Sequence, residues 1–325
     1  MIEQLGQTLL SAAVASGSSD LYIQPVHDTY KVFEHHGNGL SLVRELTINE
    51  GQQLIAHFKY RANMAITETR RPQLGALTLT VAGQTVHLRL SSVGNFINQE
   101  SLVIRLLLPL EEQRLAYLMP EQLATLHEWS LLRGLLLFAG PTGSGKTSTI
   151  YHLAKKLSES LSVLSVEDPT EIVAPDFLQL QVNPAADMSY QALIKVALRH
   201  RPEVLIIGEI RDHETAQAAI DAALSGHLVL SSVHAQTAKG IVTRLRQLGI
   251  DSAAITQAVV GVAYQRLLPT NTGEMSALLD LASGPVPVDK WEQTTAMTPQ
   301  WEENLRHARD NDQISTAVYR RFKAG

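Results

Sequence analysis

A chain of 325 residues is longer than one hydrophobic core usually supports, so two domains are expected. With 45% hydrophobic and 18% charged residues the composition is that of a folded globular protein, and the absence of cysteine excludes disulfides, thiolate nucleophiles and cysteine-ligated zinc or iron–sulfur sites. A formal charge of −5 gives no global attraction to nucleic acid, the first residues lack the basic flank of a secretory signal, and the apolar run 135–139 is too short for a membrane helix, so a cytosolic chain is expected.

Ile2, Leu5, Leu9 and Ala13 share one helical face, and GSSD then breaks the pattern before the alternating Leu21 and Ile23 of a strand. Asn49 followed by Glu50 and Gln52 predicts the start of a second helix burying Leu54, Ile55 and Phe58. Leu77, Leu79 and Val81, then Val86, Leu88 and Leu90, alternate on either side of a short turn as a hairpin does, and SLVIRLL adds another strand. These elements predict a small α+β domain over 1–108, with a connector at 109–120 within PLEEQRLAYLMPEQ.

From Gly134 the texture changes to short apolar runs between helical patterns: LLLFAG, SVLSVED, LQLQV, VLIIGE and HLVLSSVHA. Such runs are strands buried on both faces, which predicts an α/β domain with a parallel sheet over 121–325. SALLDLAS reads as one more strand, and PQWEENLRHARDNDQISTAVYRRF as a helical C-terminal part.

GPTGSGKT fits G-x-x-x-x-G-K-[ST] between a strand and a helix. The glycines let backbone N–H groups across Gly140, Thr142, Gly143, Ser144, Gly145 and Ser148 curl around phosphate at the positive end of the helix. Pro141 shapes the same loop, Lys146 reaches the terminal phosphates, and Thr147 reaches a magnesium ion. SVEDPTE places Glu167, Asp168 and Glu171 at the carboxyl end of the next strand, where open α/β sheets bind ligands; turn chemistry at Asp-Pro is the alternative. If VLIIGE lies beside the phosphate-loop strand, Gly208 leaves room for magnesium-bound water and Glu209 projects to polarise it; a surface ion pair with Arg211 is the alternative. His227 and His234 flank the strand HLVLSSV, where a packed or hydrogen-bonding role competes with catalysis.

Together GPTGSGKT, SVEDPTE, IIGEIRD and SGHLVLSSVHAQTA resemble, in that order, the Walker A, Asp box, Walker B and His box of the secretion ATPases, the motors of type II secretion, type IV pili and competence pseudopili. SDLYIQP, RRPQLGAL and VAYQRLLP extend the resemblance into the flanking sequence. It implies a homohexamer that hydrolyses Mg-ATP, built from a PAS-like N-terminal domain and a RecA-like P-loop domain with nucleotide between them. It further implies a place at the cytoplasmic face of the cell membrane, a polytopic platform protein as direct partner, pseudopilins as indirect ones, and no direct nucleic-acid contact. Glu209, Glu171, Glu167 and His234 fall on its catalytic motifs, and Arg89, Arg105 and Arg199 where family members place arginines that act on the γ-phosphate; surface roles are the alternative for the arginines. Lys195 stands where many relatives have arginine, keeping charge but losing bidentate geometry, and Tyr22 where they usually have histidine.

Many assembly ATPases carry a tetracysteine zinc module and an N-terminal docking domain, and this sequence shows neither. The expectation is therefore a zinc-free assembly motor of the competence type, with pilus retraction or type II secretion as alternatives. Two other classes compete: a RecA-like nucleic-acid translocase, which would want a basic, aromatic-rich channel that a net acidic chain with 5% aromatics does not suggest, and a scaffold that only binds nucleotide.

Overall fold

The computed structural model describes residues 2–36, 39–81, 83–107, 110, 115–284 and 296–325. The chain divides into two compact units, Met1–Pro109 and Leu110–Gly325.

In the first unit, helices Ile2–Ser16 (α1) and Ile48–Arg61 (α2) bury the stripes Leu9, Leu10, Ala13 and Leu54, Ile55, Phe58. The strands are Asp20–Val26 (β1), Thr29–His36 (β2), Gly39–Thr47 (β3), Gln73–Val81 (β4), Gln84–Gly94 (β5) and Glu100–Leu107 (β6). They pair antiparallel in the order β3-β2-β1-β6-β5-β4. Inward-facing Leu21, Ile23, Val32, Leu88, Leu90, Leu102 and Ile104 join the helical stripes in one core, where each such side chain contributes about 1.5–3 kcal/mol of transfer free energy. The hairpin closes with Val81 opposite Gln84. Lys59, fully buried on α2, donates to Glu100 Oε1 at 2.6 Å and to the Glu68 carbonyl at 2.7 Å, so its charge is paired and α2 is tied to β6.

Helix α2 begins two residues earlier than the sequence pattern predicts. Thr47, not Asn49, is the N-cap: its hydroxyl accepts the Glu50 N–H at 3.2 Å while the Glu50 carboxylate accepts the Thr47 N–H at 2.9 Å, a reciprocal pair that satisfies two otherwise orphan donors. These bonds, backbone first, hold the Glu50 carboxyl below its ordinary value.

The second unit contains strands Ala116–Tyr117 (β7), Gly134–Ala139 (β8), Val163–Glu167 (β9), Leu178–Gln181 (β10), Val204–Ile210 (β11), Leu228–Val233 (β12), Val259–Pro269 (β13) and Met275–Ser283 (β14). Their order is β10-β9-β11-β12-β8-β13-β14-β7. The six from β10 to β13 are parallel, β14 runs antiparallel to β13, and β7 runs parallel to β14. Helices Glu121–Ser130 (α3) and Lys146–Leu157 (α4) cover one face through Leu126, Ile150, Tyr151 and Leu153. Helices Tyr190–Arg199 (α5), His213–Leu224 (α6), Gly240–Gln247 (α7) and Ser252–Ala258 (α8) cover the other through Ile194, Ala219, Ile241 and Ile255. Alternate residues of β8 serve the two cores, which is why the run 135–139 is apolar throughout. The C-terminal part forms helices Pro299–Asp310 and Thr316–Phe322, which bury Trp301, Leu305 and Phe322 against Leu118, Leu268 and Leu278.

Two expectations change. Strand β11 does not lie beside the phosphate-loop strand β8, because β12 pairs with both and stands between them. Of the expected connector 109–120, residues 109 and 111–114 lie outside the described residues, while Ala116 and Tyr117 form β7 and Leu118 and Met119 are buried, so apolar packing draws this stretch into the second unit. Among the described residues no helix is long and apolar enough to cross a membrane.

Replacing Thr47 with alanine removes the cap and is expected to lower the stability of the first unit by about 1 kcal/mol, read from the denaturant midpoint. Glu50→Ala in the Thr47→Ala background should lower stability further, because the Glu50 carboxylate also accepts the backbone N–H of residue 47, which the first substitution leaves in place.

Candidate functional site

The phosphate-loop sequence folds as a tight turn between β8 and α4. Gly140 sits at φ +145°, and a Cβ there would stand 2.3 Å from the Gln265 carbonyl oxygen, so β13 packs too closely for any other residue. Gly145 caps α4 in the left-handed region without a side-chain cap, which leaves the N–H groups of the first turn directed at the loop. Lys146 folds over the loop, donating to the carbonyls of Gly140 at 3.0 Å and Pro141 at 2.9 Å. Burial pulls its ammonium below the ordinary lysine value, while the carboxylates of Glu171 and Glu209 oppose that shift. From β13, Gln265 Nε2 donates to the Ser144 carbonyl at 2.7 Å, bracing the loop from beneath.

The loop opens onto a cleft of about 730 Å³ lined by Thr142 through Ser148, by Glu167, Asp168 and Glu171, by Tyr190, Glu209 and Arg211, and by Ser232 and His234. Apart from Tyr190, the first residue of α5, these come from the carboxyl ends of β8, β9, β11 and β12, where a parallel sheet collects its functional groups. Thr147 Oγ1 donates to Glu171 Oε2 at 3.1 Å. Thr147 with Glu171 and Glu209 makes a hard-oxygen donor set, which suits magnesium. Glu167 behaves differently: it is only 3% exposed, and its Oε1 accepts from Tyr151 and, at 2.8 Å, from Ser165. Gln179 in turn donates to the Tyr151 oxygen at 2.8 Å. Burial pushes the Tyr151 phenol far up, with the Glu167 charge adding to it, so the phenol keeps the proton that Glu167 needs.

Glu209 reaches the cleft through a bulge. Opposite β12, Ile207 pairs with Ser231 and Glu209 with Ser232, so Gly208 is an extra residue in β11. Leu205 and Ile207 pack with α5 and α6, whereas Val204 and Ile206 pack with α4. Strict alternation would return Glu209 to the α5–α6 face, but Ile210 joins Leu205 and Ile207 there instead. The bulge has inverted the parity and turned Glu209 toward the face that carries α4. Its carboxylate pairs with Arg211 and lies 3.4 Å from His234 Nε2, so the surface ion pair and the cleft position expected as alternatives occur together.

The space beside Gly208, expected to admit water, is taken by Tyr190: a Cβ on Gly208 would stand 2.9 Å from the Tyr190 hydroxyl oxygen and 3.4 Å from Glu167. Burial first, then the charges of Asp168, Glu209 and Glu167, push the Tyr190 phenol up to about 12, and the Glu209 backbone opposes that shift. Tyr190, Ser232 and Gln265 were not singled out from the sequence. Arg199 is exposed at the far end of α5 from Tyr190 and does not line the cleft. Arg89 and Arg105 face each other across β5 and β6 of the first unit, where Arg105 Nε donates to the buried Asp20 at 2.8 Å. His227 Nδ1 lies 3.0 Å from the Ala222 carbonyl, a structural contact.

A model of the family described as type II/IV secretion system protein matches residues 1–309. Competence protein ComGA of Streptococcus pneumoniae is 41% identical over 268 residues, covering 82% of this chain and 85% of the relative. ComGA of Bacillus subtilis is 41% identical over 276 residues, covering 82% and 76%. Among solved structures, the Legionella pneumophila ATPase DotB superposes with a TM-score of 0.74 over 96% of this chain and 93% of its own; at 19% identity this is a likeness of fold.

Tyr151→Phe removes a hydrogen bond from a carboxylate that burial keeps from water. The substitution is expected to lower the stability of the second unit by about 1–3 kcal/mol, visible as a lower urea midpoint.

Proposed function

Because this chain belongs to the type II/IV secretion system protein family, we propose that it is the motor that drives assembly of a competence-type pseudopilus. It is an ATPase by family, and the competence proteins among its relatives support the subtype. The observation that carries the mechanism is the meeting of Lys146 and Glu209 in one cleft at the end of a parallel sheet.

In this reading ATP is the substrate. The first-turn N–H groups of α4 and Lys146 hold the β- and γ-phosphates, and Lys146 exchanges its loop carbonyls for phosphate oxygens. Glu209 takes a proton from the attacking water as its oxygen bonds to the γ-phosphorus; the bond to the bridging oxygen breaks and its electron pair leaves with ADP. His234 and Arg211 orient the Glu209 carboxylate. Thr147 would hold magnesium, with Glu171 and Glu209 on its bound waters, and the ion would neutralise phosphate charge. Glu167 acts from beneath, as a buried anchor for the strand end. The proposal includes no zinc, since the chain has no cysteine.

The proposal extends to the parts implied by the sequence resemblance. The first unit is read as PAS-like and the second as RecA-like. The active form is a homohexamer at the cytoplasmic face of the cell membrane; Arg89 and Arg105 supply charge to the γ-phosphate from another domain or subunit, and Arg199 is a further arginine of that kind. The direct partner is the cytoplasmic part of a polytopic platform protein, with pseudopilins moved indirectly and no direct nucleic-acid contact.

Glu209→Gln keeps the shape of the side chain and removes its basicity, so Mg-ATP binding should persist while hydrolysis falls by roughly 10²- to 10⁴-fold. Lys146→Ala should lose binding instead, and Arg89→Ala or Arg105→Ala should cut turnover more than affinity. Normal turnover in Glu209→Gln would reject it as the base; normal turnover in both arginine variants would leave them surface residues. A pull-down from native membranes should recover a polytopic protein and pseudopilins, and recovery of DNA alone would sink the assembly role.

A further inference from the structure

A β-bulge frees backbone groups that a regular ladder would pair, and buried groups of this kind must find partners elsewhere. In β11 the two groups at the bulge are the Gly208 carbonyl and the Glu209 N–H. Side-chain hydroxyls meet the bulge from two sides. Ser232 Oγ donates to the Gly208 carbonyl at 2.9 Å from β12, and the Tyr190 hydroxyl, on the first residue of α5, lies against Gly208 on the other side. The Tyr190 hydroxyl also occupies the volume that a side chain at Gly208 would fill. The extra residue is therefore clamped from two sides, and the clamp fixes which face Glu209 presents.

We propose that Tyr190 and Ser232 are positioning residues for hydrolysis: they hold the bulge in β11, and through it they keep the Glu209 carboxylate aimed at the phosphate loop. The inference rests on the reading of Glu209 as the base. Neither hydroxyl needs to touch substrate. Each acts through the backbone on either side of the bulge, so loss of one loosens the aim of Glu209 while the loop and Lys146 remain in place. A small displacement of a catalytic group is enough to cost up to roughly 10²-fold in rate.

The test is steady-state Mg-ATP hydrolysis by the full chain, with binding of a fluorescent ADP analogue and thermal melting measured on the same preparations. Tyr190→Phe should lower kcat by roughly 10- to 100-fold while KM, ADP affinity and melting temperature stay near wild type. Ser232→Ala should move kcat in the same direction, and it decides the matter if Tyr190→Phe proves unstable. In the Glu209→Gln background neither substitution should lower the rate further, because the group they aim is gone. Wild-type kcat in both hydroxyl variants, a loss confined to KM, or equal fold losses with and without Glu209 would overturn the clamp. Failure of the base reading is separately visible, since Glu209→Gln alone would then turn over normally.

Discussion

Six parallel strands that pair side by side must all end at the same edge of their sheet. That constraint brings together groups far apart in the chain: the loop after β8, the carboxylates after β9, Glu209 near the end of β11 and His234 beyond β12. No single one of them makes a site. The phosphate loop offers N–H groups and a lysine, and the neighbouring strands contribute opposite charge, so the field across the cleft runs from cationic to anionic over a few residues. Burial on both faces makes this edge the place where polar groups of these strands can be both ordered and exposed.

The carboxylates of the cleft have different jobs because their surroundings differ. Glu167 is locked beneath the surface by Tyr151 and Ser165, with Gln179 completing the network, whereas Glu171 is exposed, accepts from Thr147 and acts on the charge of Lys146. Glu209 is intermediate, partly buried and held between Arg211 and His234. Three acidic letters from two motifs thus separate into a buried anchor, an exposed carboxylate and a partly buried one held between Arg211 and His234. The separation depends on strand parity and on aromatic neighbours rather than on the acids themselves.

This also explains what could be read in advance. The loop 140–148 was legible because glycine, lysine and threonine at fixed spacing have few other uses, and the hairpin between Val81 and Gln84 because alternation is local. The α/β character of the second unit followed from apolar runs such as 135–139. Insertion of β12 between β11 and β8 was not legible, since the pairing of parallel strands depends on crossovers distant in sequence. Tyr190 had no local signature either: at the start of a helix it resembles any half-buried aromatic, and its meaning comes from Gly208, which only the folded sheet brings alongside. The start of α2 departs from the sequence pattern because Thr47 also ends β3, so one residue serves as the last of a strand and the cap of a helix.

The outer strands of the second unit's sheet are short, four residues in β10 and two in β7, and the helices Pro299–Asp310 and Thr316–Phe322 pack beside Leu118 immediately after β7. Strands this short offer few free backbone groups to a neighbouring sheet, which is how soluble proteins blunt the tendency of edges to add further strands. A neighbouring copy would find few main-chain groups to pair with at either edge. Short edges of this kind protect the unit from fibrous association when many copies are crowded together.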